Sequence, residues 1–295
     1  MTADRLWSRG PEDGIELLAA RLHGLAYRQH RHDTYAICVT TAGVQTFTYR
    51  GTREVSLPGQ VVVLHPDELH DGHAGTDAGF GYRQLYLDPA RIFDAVQVLR
   101  GGPAALPFVP TPVMQQAKLA RAVAEAFAEG DDTLARDGVV LQVAEGLLEA
   151  AGQAVPIPSR LDLVALDRAH QFLATETTRV VRSAELEAVT GLTRYELARQ
   201  FRRRYGTSPY RYLLMRRLDA AREQLAGHRS LTAVAFDAGF ADQAHFTRMF
   251  TAAFGLTPAR YRAALGRPGA PRDVAGNPRC RVPADNSGCR RLPSH

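Results

Sequence analysis

The chain has 295 residues, 45% of them hydrophobic, with 25 Gly, 17 Pro and a formal net charge of +5. That length suits about two domains of roughly 100 to 200 residues, each with a sizeable core, and the composition excludes wholesale disorder and a collagen-like or low-complexity chain. The charge is divided: residues 1–159 carry 13 basic against 19 acidic side chains, residues 160–265 carry 17 against 10, and residues 266–295 carry 6 against 2.

The first ninety residues read as short strands. The runs LAYRQHRH, TYAICVTTAG, VQTFTYRG, REVSL, QVVVLHP and GYRQLYLD are rich in β-formers and separated by Gly, Pro and Asp turn signals about every ten residues, as in a small barrel. From Asp88 the period becomes helical, through DPARIFDAVQVL, VMQQAKLARAVAEAFAEG and TLARDGVVLQVAEGLLEA, which predicts helices packed on that barrel. The segment 152–160, with Pro156 and Pro158, reads as a linker. Residues 161–265 read as all helical, and 266–295 are too poor in large apolar residues to build a core, so a disordered tail is expected. No apolar run approaches the ~20 residues of a membrane span, and the opening MTADRLWSRGPEDG lacks the apolar core of a secretory signal. Three scattered cysteines (Cys38, Cys280, Cys289) make neither a disulfide framework nor a CxxC pair. A cytoplasmic protein without a membrane partner is the expectation.

The basic part repeats itself. Gly206-Thr-Ser-Pro-Tyr-Arg-Tyr212 recurs 49 residues later as Gly255-Leu-Thr-Pro-Ala-Arg-Tyr261, and the same offset maps Leu197 onto Phe246, Arg199 onto Arg248 and Phe201 onto Phe250. Each copy spells helix, tight turn, helix. In the first, Ser183 is placed to cap a short helix ended by Gly191, and Thr193 with Glu196 forms a capping box for the next. Leu192, Leu197 and Phe201 are assigned inward, which leaves Arg194, Tyr195, Ala198, Arg199, Arg202 and Arg203 on an outer, basic face. In the second, Ser230 and Asp242 cap the two helices, Phe246, Phe250 and Phe254 form the inner stripe, and Gln243, Ala244, Thr247 and Arg248 point outward.

Two helix-turn-helix motifs, at about 183–204 and 231–254, follow from this pattern, each with a second helix shaped for the major groove. Arg can bind the guanine edge and Gln the adenine edge bidentately, while Thr and Tyr add methyl, ring or hydroxyl contacts. Between them Ser208 caps and Pro209 opens a long helix, ended by Gly227, that would hold both probes about one duplex repeat apart.

The stretch AGFADQAHFTRMFTAAFGLTPARYR, preceded by RYELARQFRRRYGTSPYRYLLMRRLDAAREQL, resembles the DNA-binding domain of the AraC/XylS family of bacterial transcription regulators over residues 160–264. HRHDTYAICVTTAG, LPGQVVVLHPDELHDG and YRQLYLDP are similar to that family's cupin-type sensing barrel. The resemblance implies an effector-sensing and dimerisation domain at 1–151 and a DNA-binding domain at 161–265. It further implies a regulator, with activation the expected direction, that engages double-stranded promoter DNA, RNA polymerase, a small-molecule effector and a second copy as homodimer. Tyr195, Ala198 and Arg199, then Gln243, Ala244, Thr247 and Arg248, take the base-reading positions. Ala198 and Ala244 depart from the larger polar residues of some members.

His30, His32, Tyr35, His70, Arg83 and Tyr86 are candidates for the effector pocket, since barrel mouths are common ligand sites. A metal-dependent cupin enzyme with an appended DNA-binding module is the alternative, because HxH with a later His is a ligand pattern of cupin enzymes. Against it, Ala36 and Ile37 stand where those enzymes carry a Glu. The common nucleophile and phosphate-binding motifs are also missing from the sequence. No enzyme activity, catalytic residue, metal or cofactor is expected.

Overall fold

The computed structural model describes residues 4–129, 132–156 and 160–265. Residues 157–159 of the expected linker and the whole expected tail, 266–295, lie outside the described residues. The chain divides into two compact units, residues 1–213 and 214–295.

The first unit opens with ten strands: β1 (Arg5–Glu12), β2 (Ile15–Leu22), β3 (Leu25–His30), β4 (Tyr35–Gly43), β5 (Gln45–Tyr49), β6 (Thr52–Ser56), β7 (Val61–Leu64), β8 (His70–Ala74), β9 (Phe80–Leu87) and β10 (Val113–Met114). They form a six-stranded sheet, in order β1-β2-β9-β4-β7-β10, and a four-stranded sheet, β3-β8-β5-β6. Among the described residues no ladder joins the two sheets, so the closed cupin-like barrel expected from the sequence is not formed.

The reason lies in how the central strands are buried. Side chains alternate along a strand, and in β4, β7 and β9 both sets are largely apolar. Tyr35, Ile37, Val61, Val63, Leu85 and Leu87 belong to a core shared with helices. Ala36, Cys38, Val62, Leu64, Phe80 and Tyr82 pack instead with Phe47 and Tyr49 of the four-stranded sheet. The larger sheet is thus a middle layer, with helices on one face and the smaller sheet on the other. The β1–β2 hairpin, absent from the sequence reading, is closed by Asp13 and Gly14, both with positive φ (51° and 68°). Asp-Gly favours this turn because Gly meets no Cβ penalty there.

Three helices cover the outer face: α1 (Pro89–Arg100), α2 (Ala117–Ala128) and α3 (Thr133–Ala150). Asp88 accepts a hydrogen bond from the Ala90 N–H (2.8 Å) and Pro89 takes the first turn, so α1 starts where the strand period ends. Asp132 caps α3 in the same way. Gly146 of α3 faces Leu119 of α2 so closely that a Cβ would fall 2.6 Å from its Cδ2. A Gly146→Val variant is therefore expected to lose about 1 to 3 kcal/mol through overpacking; an unchanged urea midpoint would remove the claim that this glycine sets the α2–α3 approach.

The first unit continues through α4 (Leu163–Thr175), α5 (Ser183–Thr190) and α6 (Arg194–Tyr205), around Leu166, Ala169, Leu173, Leu186, Leu197 and Phe201. Helix α7 (Pro209–Gln224) runs from one unit into the next. The second unit adds α8 (Leu231–Asp237), α9 (Gln243–Phe254) and α10 (Pro258–Leu265). Its centre is aromatic: the Phe250 ring meets Phe246 (5.5 Å) and Tyr261 (5.4 Å) edge-on and Phe254 (4.6 Å) at a tilt. Among the described residues no helix is long and apolar enough to cross a membrane.

Candidate nucleic-acid interface

Both helix-turn-helix copies carry the local signals read in the sequence. In the first, Thr193 and Glu196 bond reciprocally, the Thr193 N–H donating to the Glu196 carboxylate (2.9 Å) and the Glu196 N–H donating to Thr193 Oγ1 (3.4 Å). Gly191 and Gly206 end α5 and α6 with φ of 74° and 72°, a left-handed conformation that glycine adopts without strain. In the second, Ser230 accepts from the Ala233 N–H (3.1 Å) and Asp242 from the His245 N–H (2.7 Å). That hydrogen bond lowers the Asp242 pKa. Ser183 behaves otherwise than expected. It is the first residue of α5 and not its cap, because its hydroxyl donates to the buried Asp137 carboxylate of α3.

The outer faces of the two second helices differ. On α9, Gln243, Ala244 and Arg248 are exposed and Thr247 is half-buried, while Phe246, Met249 and Phe250 are inside. The Gln243 amide oxygen accepts from the Thr232 hydroxyl (2.6 Å), which orients that side chain. On α6, Arg203 is exposed and Arg194, Arg199 and Arg202 are partly buried, but Tyr195 and Ala198 are only 4% and 6% exposed. The expected open basic face is therefore closed at these two positions. They are part of the core that includes Ile92, Val96 and Leu99 of α1 and Val139 and Val143 of α3.

Polar contacts surround this apolar patch. Arg91 of α1 donates to the Tyr195 hydroxyl (3.1 Å), to Asp137 (2.7 Å) and to the Asp13 carbonyl (2.7 Å). Arg194 lies 3.6 Å from Asp137 and pairs with Glu187 (3.3 Å). Arg199 donates to the Val98 carbonyl (2.6 Å) and to that of Pro156. Burial pushes the Tyr195 hydroxyl up to about 12 and raises the Asp137 pKa, against the pull of Ser183, Arg91 and Arg194. Arg91 and Asp137 were missed in the sequence reading. For Asp137 the available signal was an acid inside the largely apolar helix TLARDGVVLQVAEGLL, where an unpaired carboxylate would be costly.

The effector candidates separate into two groups. His30, His32, His70 and Tyr86 gather between the sheets, with ring centroids 4.4 Å apart for His30–His70, 4.9 Å for His32–His70 and 5.2 Å for His32–Tyr86. Each imidazole Nδ1 bonds a carbonyl: Arg28 for His30 (2.8 Å), Thr34 for His32 (2.9 Å) and Glu68 for His70 (2.9 Å). Carbonyls only accept, so all three rings carry the proton on Nδ1. Burial lowers the pKa of His32 and brings that of His70 down to about 4. Among the described residues no group of three or more His, Cys, Asp or Glu is arranged to hold a metal ion. Tyr35 lies elsewhere, on the helix side of the sheet, donating to the Pro107 carbonyl (3.1 Å). Arg83 is exposed, its guanidinium 5.2 Å from the Phe127 ring centroid.

An N-terminal ligand-binding region followed by a helix-turn-helix region defines a class of transcriptional regulators, not of enzymes. Residues 14–150 match the AraC-like ligand binding domain and residues 186–264 match a helix-turn-helix domain. With these two matches in this order, the chain is similar to AraC/XylS-type transcriptional regulators. Its relatives include the HTH-type transcriptional activator RhaS of Yersinia pestis, 28% identical over 265 residues that cover 84% of this chain and 93% of RhaS. The HTH-type transcriptional regulator YbfI of Bacillus subtilis is 26% identical over 243 residues, 78% of this chain and 86% of YbfI. The probable transcriptional regulator LumQ of Photobacterium leiognathi is 30% identical over 104 residues, 35% of this chain and 41% of LumQ.

Proposed function

We propose that the chain is a sequence-specific DNA-binding regulator in which a small-molecule effector held by the N-terminal region controls how two reading helices engage promoter DNA. The functional division follows the sequence: effector sensing and dimerisation at 1–151, a linker at 152–160, and DNA binding at 161–265. The observation that carries the reading is α9, whose capped N-terminal turns expose Gln243, Ala244 and Arg248 where a recognition helix meets base edges. Helix α6 is the second reader, through Tyr195, Ala198 and Arg199, with Arg194, Arg202 and Arg203 toward the phosphates. Activation through RNA polymerase is the favoured output, in line with the activator RhaS among the relatives.

His30, His32, His70 and Tyr86 share one site between the sheets and are kept as candidates, whereas Tyr35 and Arg83 stand apart from it. Tyr86 sits in β9 between Leu85 and Leu87, which pack toward the helices, so a ligand beside Tyr86 has a short mechanical route to α1.

Selecting fragments of the source genome with purified full-length protein tests the function. Recovery of discrete promoter regions is expected, with retention falling steeply as salt rises. An Arg248→Ala variant should bind those fragments more weakly by about 1 to 3 kcal/mol and with relaxed sequence preference. Equal selection and affinity by wild type and variant would remove α9 from the reading role.

A further inference from the structure

We propose that the N-terminal helices hold the first reading helix in a closed state by imitating DNA, so that α6 must leave them before it can enter a groove. The proposal rests on α6 being a reading helix and adds what occupies it in the free protein.

The geometry is one of direct competition. Tyr195 and Ala198 cannot touch a base edge while they are 4% and 6% exposed within the α1–α3 core. The cationic side chains nearby have acceptors of the kind a duplex would supply. Asp137 stands for a phosphate beside Arg194 (3.6 Å). The Val98 carbonyl takes Arg199 as a base-edge oxygen would (2.6 Å). Arg211, at the start of α7, reaches Glu125 (3.3 Å) and Glu129 (3.4 Å).

The position of these acceptors reinforces the imitation. Val98 is in the last turn of α1, whose final carbonyls have no partner inside the helix. Glu125 and Glu129 lie at the C-terminal end of α2. Two negative helix ends therefore meet arginines, Arg199 of the first DNA-binding motif and Arg211 of the helix that follows it, an arrangement favoured by the helix dipole. Arg91 fastens the patch by donating to both Tyr195 and Asp137. A ligand or DNA can open this contact only through a higher affinity for the open state.

The test uses the full chain with two variants, Glu125→Gln at the rim and Asp137→Asn in the centre, and sheared genomic DNA of the source organism as probe. Each variant should retain the DNA at least fivefold more tightly than wild type, and amide exchange over residues 194–205 should speed up in the free protein. Because Asp137 is buried and its replacement can disturb folding, the part-exposed Glu125 keeps the test decisive. Variants with a native circular dichroism spectrum but unchanged DNA affinity and exchange would overturn the clamp. So would DNA-bound wild type in which residues 92–99 of α1 and 137–143 of α3, the surface that α6 covers, stay as protected as in the free protein. If wild type retains no DNA even at low salt, the DNA-reading function fails, while exchange over 194–205 still decides whether the clamp exists.

Discussion

A Phe250→Ala variant is expected to lose the native structure of residues 231–265 and, with it, DNA retention by α9. Phe250 is fully buried, and its ring has three aromatic neighbours, with centroids 4.6 to 5.5 Å away. Truncation at such a site costs about 3 to 5 kcal/mol from lost transfer energy and the cavity left behind. A whole domain is stable by only about 5 to 15 kcal/mol, and a short helical unit lies at the low end of that range. Amide exchange is the check: protection over 231–265 should collapse toward the unfolded rate. If it persisted with DNA affinity intact, the aromatic cluster would not be what holds this motif together.

Acid is expected to destabilise the first unit well before ordinary carboxylates titrate. His65 and His70 are 7% and 5% exposed, and burial brings both pKa values down to about 4 from 6.5. For His65 the geometry explains the direction. Its Nε2 accepts the Val109 N–H (3.0 Å), so a proton there would set donor against donor. Both rings bind a proton more weakly folded than unfolded, so their contribution is complete above pH 6.5 and is lost as pH falls toward 4. Each shift corresponds to about 3 kcal/mol at most. Urea midpoints at pH 7.5, 6 and 5 provide the measurement, and a midpoint constant across that range would show that these rings titrate normally.

Much of the helical part was legible because its rules are local. Thr193 with Glu196, Ser230, Asp242 and the glycines at 191, 206 and 255 fix helix ends through bonds spanning a few residues, and each acts as its type suggests. Ser183 was misread because its partner, Asp137, is 46 residues away. The β region shows the same divide. Strand runs such as TYAICVT and QVVVL were visible, but whether their second apolar face meets the far wall of a barrel or a layer of helices is a long-range fact. The Asp13-Gly14 hairpin was available to a local rule and was overlooked.

For the candidate site, residue types suggested chemistry but not surroundings. An outward Tyr-x-x-Ala-Arg face on α6 is the same sequence whether water, DNA or another helix lies against it. Three histidines spread over residues 30 to 70 came together because β3 and β8 are adjacent and place His30 opposite His70. Tyr35 and Arg83 separated from them by strand parity, which a shift of one residue would reverse.

A stack of two open sheets has a cost that a cylinder avoids: β1, β10, β3 and β6 end their sheets with backbone groups unmatched on one side. Such rims invite chains to stick together, and the residues placed there work against it. The outermost strand of the larger sheet carries Arg5, Arg9 and Glu12 with Pro11 among them, and its opposite end is a stub of two residues. The smaller sheet finishes with Arg53 and Glu54 on one rim and Arg28 on the other. Resistance to edge-to-edge pairing is thus written into the margins of this fold, where a charge-neutralising change would do more harm than its exposed position suggests.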